Sequence, residues 1–134
     1  MGRSLLILVD THVVMWLAFE ETRISKRAAS AIAEAREDDG LAISGVTLIE
    51  VAMLYKKGRI SMAMSLESLM GDVEGRFAVL PITGSICVRA MALSREYPND
   101  PMDRIIGATA LVEGLKLVTA DRAIRDSQAV STVW

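Results

Sequence analysis

The sequence predicts an α/β fold, a three-layer α/β/α sandwich with a short, mainly parallel sheet at its centre. Short apolar segments alternate with helical segments along all 134 residues, and strands separated by helices form parallel sheets that are covered on both faces. The first segment, residues 5–9, is an unbroken apolar run, which is typical of a central strand buried on both sides. Because we find no linker, repeat or low-complexity tract, residues 1–134 are expected to form a single domain.

The first half of the chain is predicted from local signals. The predicted elements after the first strand are helices over 13–20 and 25–36, a strand over 41–43, and helices over 46–57 and 61–72. Ser25 is suited to cap the second helix, whose alanine-rich body favours helical structure. The Asp-Asp-Gly sequence at 38–40 predicts a turn, and Gly58 is expected to end the third helix.

Prolines and glycines mark the element boundaries in the second half. The predicted elements are a strand over 77–80, helices over 83–95 and 101–113, a strand over 115–118, a short helical turn after residue 121 and a last strand over 130–133. Pro81 closes the strand before it, and Pro101 suits the first position of a helix that Asp100 caps. Gly114 is expected to end that helix.

Composition excludes several classes of site. Cys87 is the only cysteine and His12 the only histidine, which excludes an internal disulfide, a thiolate zinc site and a two-histidine acid–base nuclease. The formal net charge of −2 is not that of a protein that binds duplex DNA by bulk electrostatics. No apolar run of about 18 residues and no signal peptide are found, so we expect a cytoplasmic protein with no membrane segment.

Acidic side chains follow the predicted strands. Asp10 comes directly after the first strand, Asp121 follows the strand at 115–118, and Glu50 lies in the helix after the second strand. Asp103 lies in the first turn of the helix before the strand at 115–118. Parallel sheets bind ligands beyond the carboxyl ends of their strands, so the four acids are expected at one edge. Asp10 and Asp121 are also explained as simple helix caps.

Four carboxylates in one pocket need neutralisation. Two carboxylates about 5 Å apart repel each other by roughly 3 kcal/mol at an effective dielectric near 20. Glu50 lies on a helix that is apolar nearly all round, where an unpaired carboxylate is costly, although a distant arginine would also compensate it. Either several acids are protonated or a divalent cation binds them. Oxygen ligands favour Mg²⁺ or Mn²⁺ over zinc, and such sites activate water for attack on phosphodiesters.

The order of these motifs resembles the PIN-domain nucleases and, among them, the VapC toxins that carry the DPxDR variant. The matching segments are Asp10-Thr11, Ser44-x-x-Thr47-x-x-Glu50, Asp100-Pro-Met-Asp103-Arg104 and Thr119-Ala-Asp121. They span nearly the whole chain. The resemblance implies that Asp10, Glu50 and Asp103 are catalytic, metal-binding acids and that Asp121 completes the set. Supporting roles are implied for Thr11, Ser44, Thr119, Asp100 and Arg104, with Asp100 mainly a cap and Arg104 in a structural ion pair.

The resemblance also implies partners. VapC-like proteins form homodimers, cleave RNA and are held inactive by a cognate antitoxin, whose carboxyl-terminal segment lies in a groove. Trp16 and Phe19 lie on an apolar helix and are candidates for this contact, with core packing as the alternative. The basic candidates for RNA contact are Lys56, Lys57, Arg59, Arg122 and Arg125. One departure is that related sequences carry a histidine before the DPxDR segment, where this chain reads Glu-Tyr-Pro-Asn.

These observations predict a metal-dependent endoribonuclease toxin that hydrolyses RNA to 5′-phosphate and 3′-hydroxyl ends. Two alternatives stay within the family, namely an RNA-processing nuclease outside toxin–antitoxin systems and a non-catalytic PIN-like binding module. The retention of all four acids argues against the second. A phosphohydrolase of the haloacid dehalogenase type also places Asp after its first strand, but that chemistry needs a second Asp where this chain has His12.

Overall fold

The computed structural model describes residues 6–58, 60 and 63–134, and these residues form a parallel sheet with helices on both faces. The elements are β1 Ile7–Val9, α1 Thr11–Phe19, a 3₁₀ turn Glu21–Arg23, α2 Lys26–Arg36, β2 Leu41–Ser44, α3 Gly45–Lys56, α4 Leu66–Arg76, β3 Ala78–Leu80, α5 Gly84–Ala92, α6 Pro101–Glu113, β4 Leu117–Val118, α7 Arg122–Ser127 and β5 Thr132–Val133. The predicted fold class is confirmed.

The order of the strands places a switch point beside β1. The sheet runs β3-β2-β1-β4-β5, and every pairing is parallel. Leu8 of β1 pairs with Ala42 on one side and with Leu117 on the other. From β1 the chain adds strands first on one side and then on the other, and open α/β sheets bind ligands beyond the carboxyl ends of the strands at such a point. Asp10 directly follows β1, and Thr119 directly follows β4.

Alternate residues of β1 face two separate cores, because successive side chains of a strand point to opposite faces. Ile7 and Val9 belong to one core, which they share with apolar residues of α1, α2 and α4. Leu8 belongs to the other, together with Ile106 of α6 and Ile124 of α7. The sheet is therefore the middle of three layers, and its strands are as apolar as a doubly covered sheet requires.

Helix caps form where the sequence predicted them. The Ser25 hydroxyl accepts the Ala28 N–H at 3.1 Å and begins α2. Asp100 accepts the N–H groups of Met102 and Asp103 at 2.8 and 3.2 Å, and Pro101 occupies the first position of α6. Gly114 ends that helix in the left-handed conformation with φ 68°.

Several predicted boundaries were wrong. The helix predicted over 61–72 runs instead over Leu66–Arg76, because the Ser65 hydroxyl caps it by accepting the Ser68 N–H at 3.1 Å. Residues 61 and 62, and residue 5 of the first predicted strand, lie outside the described residues. The helix predicted from residue 13 begins at Thr11, capped by Asp10. The helix predicted over 83–95 ends at Ala92, and the strands predicted over 115–118 and 130–133 are shorter than predicted.

No helix within the described part of the chain has both the length and the apolar character needed to cross a bilayer.

Candidate active site

Asp10 directly follows β1, and its N–H donates to the Val118 carbonyl of β4 at 3.0 Å. Its side chain is 5% exposed. One oxygen, Oδ1, accepts the Thr11 N–H at 2.8 Å, and the other, Oδ2, accepts the Thr119 hydroxyl at 2.7 Å. Asp10 therefore caps α1, as the simpler explanation proposed. It also accepts a hydrogen bond from the fully buried hydroxyl of Thr119, which follows the neighbouring strand β4.

Thr119 places Asp121 next to Asp10. The Thr119 hydroxyl accepts the Asp121 N–H at 3.1 Å while it donates to Asp10. Asp121 caps α7 by accepting the Ile124 N–H at 3.1 Å, and its charge raises the pKa of Asp10. The implied supporting role of Thr119 therefore has a clear geometric basis, since one hydroxyl orders two acids.

A second hydroxyl orders Glu50 against the same strand end. The Thr11 hydroxyl donates to Glu50 Oε1 at 2.6 Å, and its oxygen lies 3.0 Å from the Thr47 hydroxyl. Because the single hydroxyl hydrogen of Thr11 points to Glu50, Thr47 is the donor in the second contact. Ser44, by contrast, accepts the Val46 N–H at 3.2 Å and acts as the cap of α3.

Asp103 enters from α6 with its side chain partly buried. Its N–H donates to Asp100 Oδ1 at 3.2 Å, and its backbone carbonyl accepts the Tyr97 hydroxyl at 2.7 Å. Asp100 is thus a cap, as expected, and its charge also reaches the site, since it raises the pKa values of Asp103 and Glu50.

The pKa values of the acids indicate a site with an excess of negative charge. Burial is the largest cause of the raised pKa values of Asp10, Glu50 and Asp103. For Asp103 the charges of Asp10, Asp100, Glu50 and Asp121 add to burial and raise the pKa to about 7. Burial raises the pKa values of Asp10 and Glu50, and His12 acts against this increase at both acids.

No ion pair neutralises the acids among the described residues. Within the residues that the structure describes, Arg23–Glu20 is the only salt bridge, so no arginine compensates Glu50 there. Arg104, expected in an ion pair, instead donates to backbone carbonyls. Its four acceptors are the carbonyls of Ala90, Leu93, Ser94 and Tyr97, at 3.1 to 3.3 Å. That expectation was wrong because the helix places its guanidinium at the end of α5.

The donor atoms and charge suit a hard divalent cation. Asp10, Glu50 and Asp103 present only oxygen atoms, and Mg²⁺ and Mn²⁺ prefer such ligands. Each carboxylate oxygen that accepts one hydrogen bond retains a second lone pair. As the side chains stand, no three His, Cys, Asp or Glu residues among 6–58, 60 and 63–134 are grouped to hold an ion. The chemistry of the acids therefore fits a cation, although the described side chains are not arranged as a completed ligand set.

The two aromatic candidates for partner contact differ in availability. The Trp16 ring is partly buried, with the Arg23 guanidinium 4.4 Å from its centre and the Trp134 ring 5.7 Å away. Phe19 is 46% exposed. It lines a groove of about 620 Å³ between α1 and α4, together with apolar side chains that include Leu69 and Phe77.

The basic candidates for RNA contact lie on different elements and differ in exposure. Lys56, Lys57 and Arg122 are exposed, and Arg59 lies outside the described residues. Arg125 is partly buried and donates to the Ala120 carbonyl at 3.4 Å, while its Nε atom is buried without a hydrogen-bond partner among the described residues. Arg122 and Arg125 lie on α7, which Asp121 caps, whereas Lys56 and Lys57 lie at the end of α3.

Tyr97 and Thr47 are residues of the site that the sequence did not assign. Tyr97 is 1% exposed although it lies in the loop between α5 and α6, and burial raises its pKa, helped by Asp10, Asp103 and Asp121. A tyrosine three residues before an N-cap gave no sequence signal. Thr47 lies in the segment Ser44-x-x-Thr47-x-x-Glu50. Its position three residues before Glu50 on one helix was the sequence feature that could have identified it as a neighbour of that acid.

This chain is similar to known proteins in sequence and in fold. The family model for the PIN domain matches residues 7–128. Ribonuclease VapC22 of Mycobacterium tuberculosis (strain ATCC 25618 / H37Rv) is 36% identical over 130 residues, which cover 96% of this chain and 98% of that protein. A toxin–antitoxin complex from Klebsiella pneumoniae contains a chain that is 29% identical, with a TM-score of 0.60 and 86% of both chains covered. VapBC2 from Rickettsia felis, bound to a promoter DNA fragment, shares the fold with a TM-score of 0.71 at 14% identity over 95% of this chain and 96% of that chain.

Proposed function

The chain belongs to the PIN-domain family, and from that premise we propose that it is a metal-dependent endoribonuclease toxin neutralised by a cognate antitoxin. The observation that carries the proposal is the convergence of Asp10, Glu50 and Asp103, whose pKa values are all raised and which form no salt bridge with the described residues. The relative that is 36% identical over nearly the whole chain is named a ribonuclease, which supports RNA as the substrate.

Asp10, Glu50 and Asp103 are the residues that would hold Mg²⁺ or Mn²⁺, with Asp121 beside them. When bound, such a cation supplies the positive charge that activates water and stabilises the leaving oxygen of a phosphodiester. The protein contributes orientation. Thr119 fixes one Asp10 oxygen at 2.7 Å and Thr11 fixes Glu50 Oε1 at 2.6 Å.

A bound cation would also explain how a protein with a negative net charge binds RNA. Four carboxylates repel a phosphodiester unless their charge is offset, and the formal charge of the whole chain is −2. Binding of RNA is therefore coupled to binding of the cation.

The groove beside Phe19 is the surface that we assign to the antitoxin. Its walls combine apolar side chains with two arginines, Arg36 and Arg76, and two acids, Glu21 and Asp72, so it suits an amphipathic segment that carries apolar residues and charges of both signs. The chain from Klebsiella pneumoniae that is 29% identical comes from a structure titled a toxin–antitoxin complex. Phe19 is the better anchor of the two predicted aromatic residues, because Arg23 and Trp134 already flank the Trp16 ring.

The homodimer stays a prediction. Apolar side chains exposed on α3 and α5 are available to form it; Val88 and Met91 are each 73% exposed, and Ile49 is 51% exposed. Light scattering of the purified chain would give its mass in solution. A monomer at micromolar concentration would contradict the prediction.

The central experiment is RNA cleavage by the purified, antitoxin-free protein. We expect cleavage with Mg²⁺ or Mn²⁺, no cleavage with EDTA, and no cleavage by a folded Asp10→Asn variant. Asp38→Asn is the matched control, because Asp38 is an exposed acid in the turn before β2, and it should cleave like the wild type. Cleavage that persists in EDTA would refute the metal requirement. A wild-type protein that neither cleaves RNA nor binds Mn²⁺ in calorimetry would favour the non-catalytic binding module.

A further inference from the structure

Tyr97 contacts the helix that carries Asp103. Its hydroxyl donates to the Asp103 carbonyl at 2.7 Å. In a regular α-helix that carbonyl also accepts the N–H four residues later, from Gly107, so the tyrosine uses its second lone pair. A buried hydroxyl with a single bond of good length restrains the position of the residue that it contacts.

Gly107 provides the space for the Tyr97 ring. A Cβ atom built on Gly107 would lie 2.4 Å from the Tyr97 hydroxyl oxygen and 2.6 Å from the ring carbon that bears it. No side chain fits there unless the ring moves. The ring therefore packs directly on the helix backbone one turn after Asp103, and small shifts of the ring would be transmitted to that turn.

Arg104 fixes the loop that carries Tyr97. Its guanidinium donates to the Tyr97 carbonyl at 3.3 Å and to the Ser94 carbonyl at 3.2 Å, and it also binds the last carbonyls of α5. The loop is thus held on α6 at two points. Arg104, directly after Asp103, donates to its carbonyls, and Gly107, four residues after Asp103, contacts the Tyr97 ring. The hydrogen bond to Asp103, the packing on Gly107 and the bonds from Arg104 all involve the turn of α6 that carries the Asp103 carboxylate.

We propose that Tyr97 is a positioning residue for Asp103, held by Arg104 and seated on Gly107, and that it sets where this carboxylate meets Asp10 and Glu50. The inference deepens the proposed function and rests on it, since Asp103 matters to catalysis only if it binds the cation. Tyr97 does not touch the reacting atoms in this assignment. It acts through the backbone of Asp103.

The chain offers a matched control, because it has two tyrosines and both donate to a backbone carbonyl. The Tyr55 hydroxyl donates to the Met64 carbonyl at 2.8 Å, outside the acid site. Tyr97→Phe and Tyr55→Phe each delete one oxygen and one such bond. Both variants should fold, and each should lower the thermal midpoint by about 3–5 °C.

The two variants should differ in cation binding. We expect Tyr97→Phe to weaken Mn²⁺ binding, measured by calorimetry or electron paramagnetic resonance, about 10-fold or more, because residues that orient metal ligands typically contribute a factor of about 10–100. At a Mn²⁺ concentration that saturates both the wild type and the variant, the kcat for RNA cleavage should fall with KM unchanged. Tyr55→Phe should stay within about twofold of the wild type in both measurements.

Each outcome decides between the alternatives. Equal Mn²⁺ affinity and kcat in the two variants would overturn the proposal. So would a Tyr97→Phe protein that fails to fold, since that would make Tyr97 a folding residue. If the wild type itself binds no Mn²⁺, the proposed function fails and not merely this assignment of Tyr97.

Discussion

The Thr119 hydroxyl offers the sharpest test of how the acids are held. Thr119 is fully buried, donates to Asp10 Oδ2 at 2.7 Å and accepts the Asp121 N–H at 3.1 Å. Thr119→Val replaces that hydroxyl by a methyl group of similar size and keeps the β-branched shape. The substitution therefore removes two hydrogen bonds with little change in packing.

The expected loss of stability follows from those two bonds. A hydrogen bond to a charged group contributes about 1.5–3 kcal/mol and a neutral one about 0.5–1.5 kcal/mol. Water cannot replace the lost donor readily, because Asp10 is 5% exposed. We expect Thr119→Val to lower the free energy of unfolding by roughly 2–4 kcal/mol. Cleavage should slow by about 10–100-fold, since Asp10 loses the contact that orients it.

Urea denaturation and RNA cleavage of three variants measure both effects. Thr119→Ser keeps the hydroxyl and should restore most of the rate. Thr109→Val is the matched control, because Thr109 is also fully buried but donates to the Ile105 carbonyl, at 2.7 Å. It should lose about 1 kcal/mol of stability and no activity. A Thr119→Val protein that cleaves at the wild-type rate would refute the role assigned to the hydroxyl.

Three further predictions test charge, chemistry and partner binding. The pKa of Asp103 is raised from 3.8 to about 7, so the folded protein should hold more protons than the unfolded chain between about pH 4 and pH 7. Thermal melts in EDTA should therefore show stability falling as the pH rises through this window. An equal dependence of stability on pH in Asp103→Asn would contradict the assignment. Cleaved RNA should carry 5′-phosphate and 3′-hydroxyl ends, read by adaptor ligation, whereas 2′,3′-cyclic phosphates would indicate attack by the ribose hydroxyl. Phe19→Asp should weaken antitoxin binding at least about 10-fold, because aromatic residues are common hot spots of interfaces, and the variant should still cleave RNA normally. Ile82→Asp, at a similarly exposed apolar residue, is the control. An equal loss of antitoxin affinity in both variants would argue against the groove.

Local signals determined much of this protein. The α6 helix was predicted with its observed bounds, Pro101–Glu113, because a capping acid, a proline at the first position and a final glycine all lie within the helix or next to it. Three of the four acids were identified for a related reason. Asp10, Asp103 and Asp121 stand at or near the end of a strand or helix, and the parallel sheet predicted by the alternation of elements brings such ends to one edge. Glu50 was identified as a carboxylate within an apolar helix. Where the capping signal was misjudged, as at Ser65, the predicted helix was misplaced.

The tertiary structure alone decided which side chains hold the acids in place. Thr119 and Asp10 are 109 residues apart in sequence, and Thr11 and Glu50 are 39 apart. The burial of Tyr97 against Gly107 depends on two elements meeting at close range. Periodicity and caps describe contacts within a few residues, whereas these partners are set by how helices pack on the sheet. The sequence therefore determined the chemistry of the site, and the packing determined its geometry.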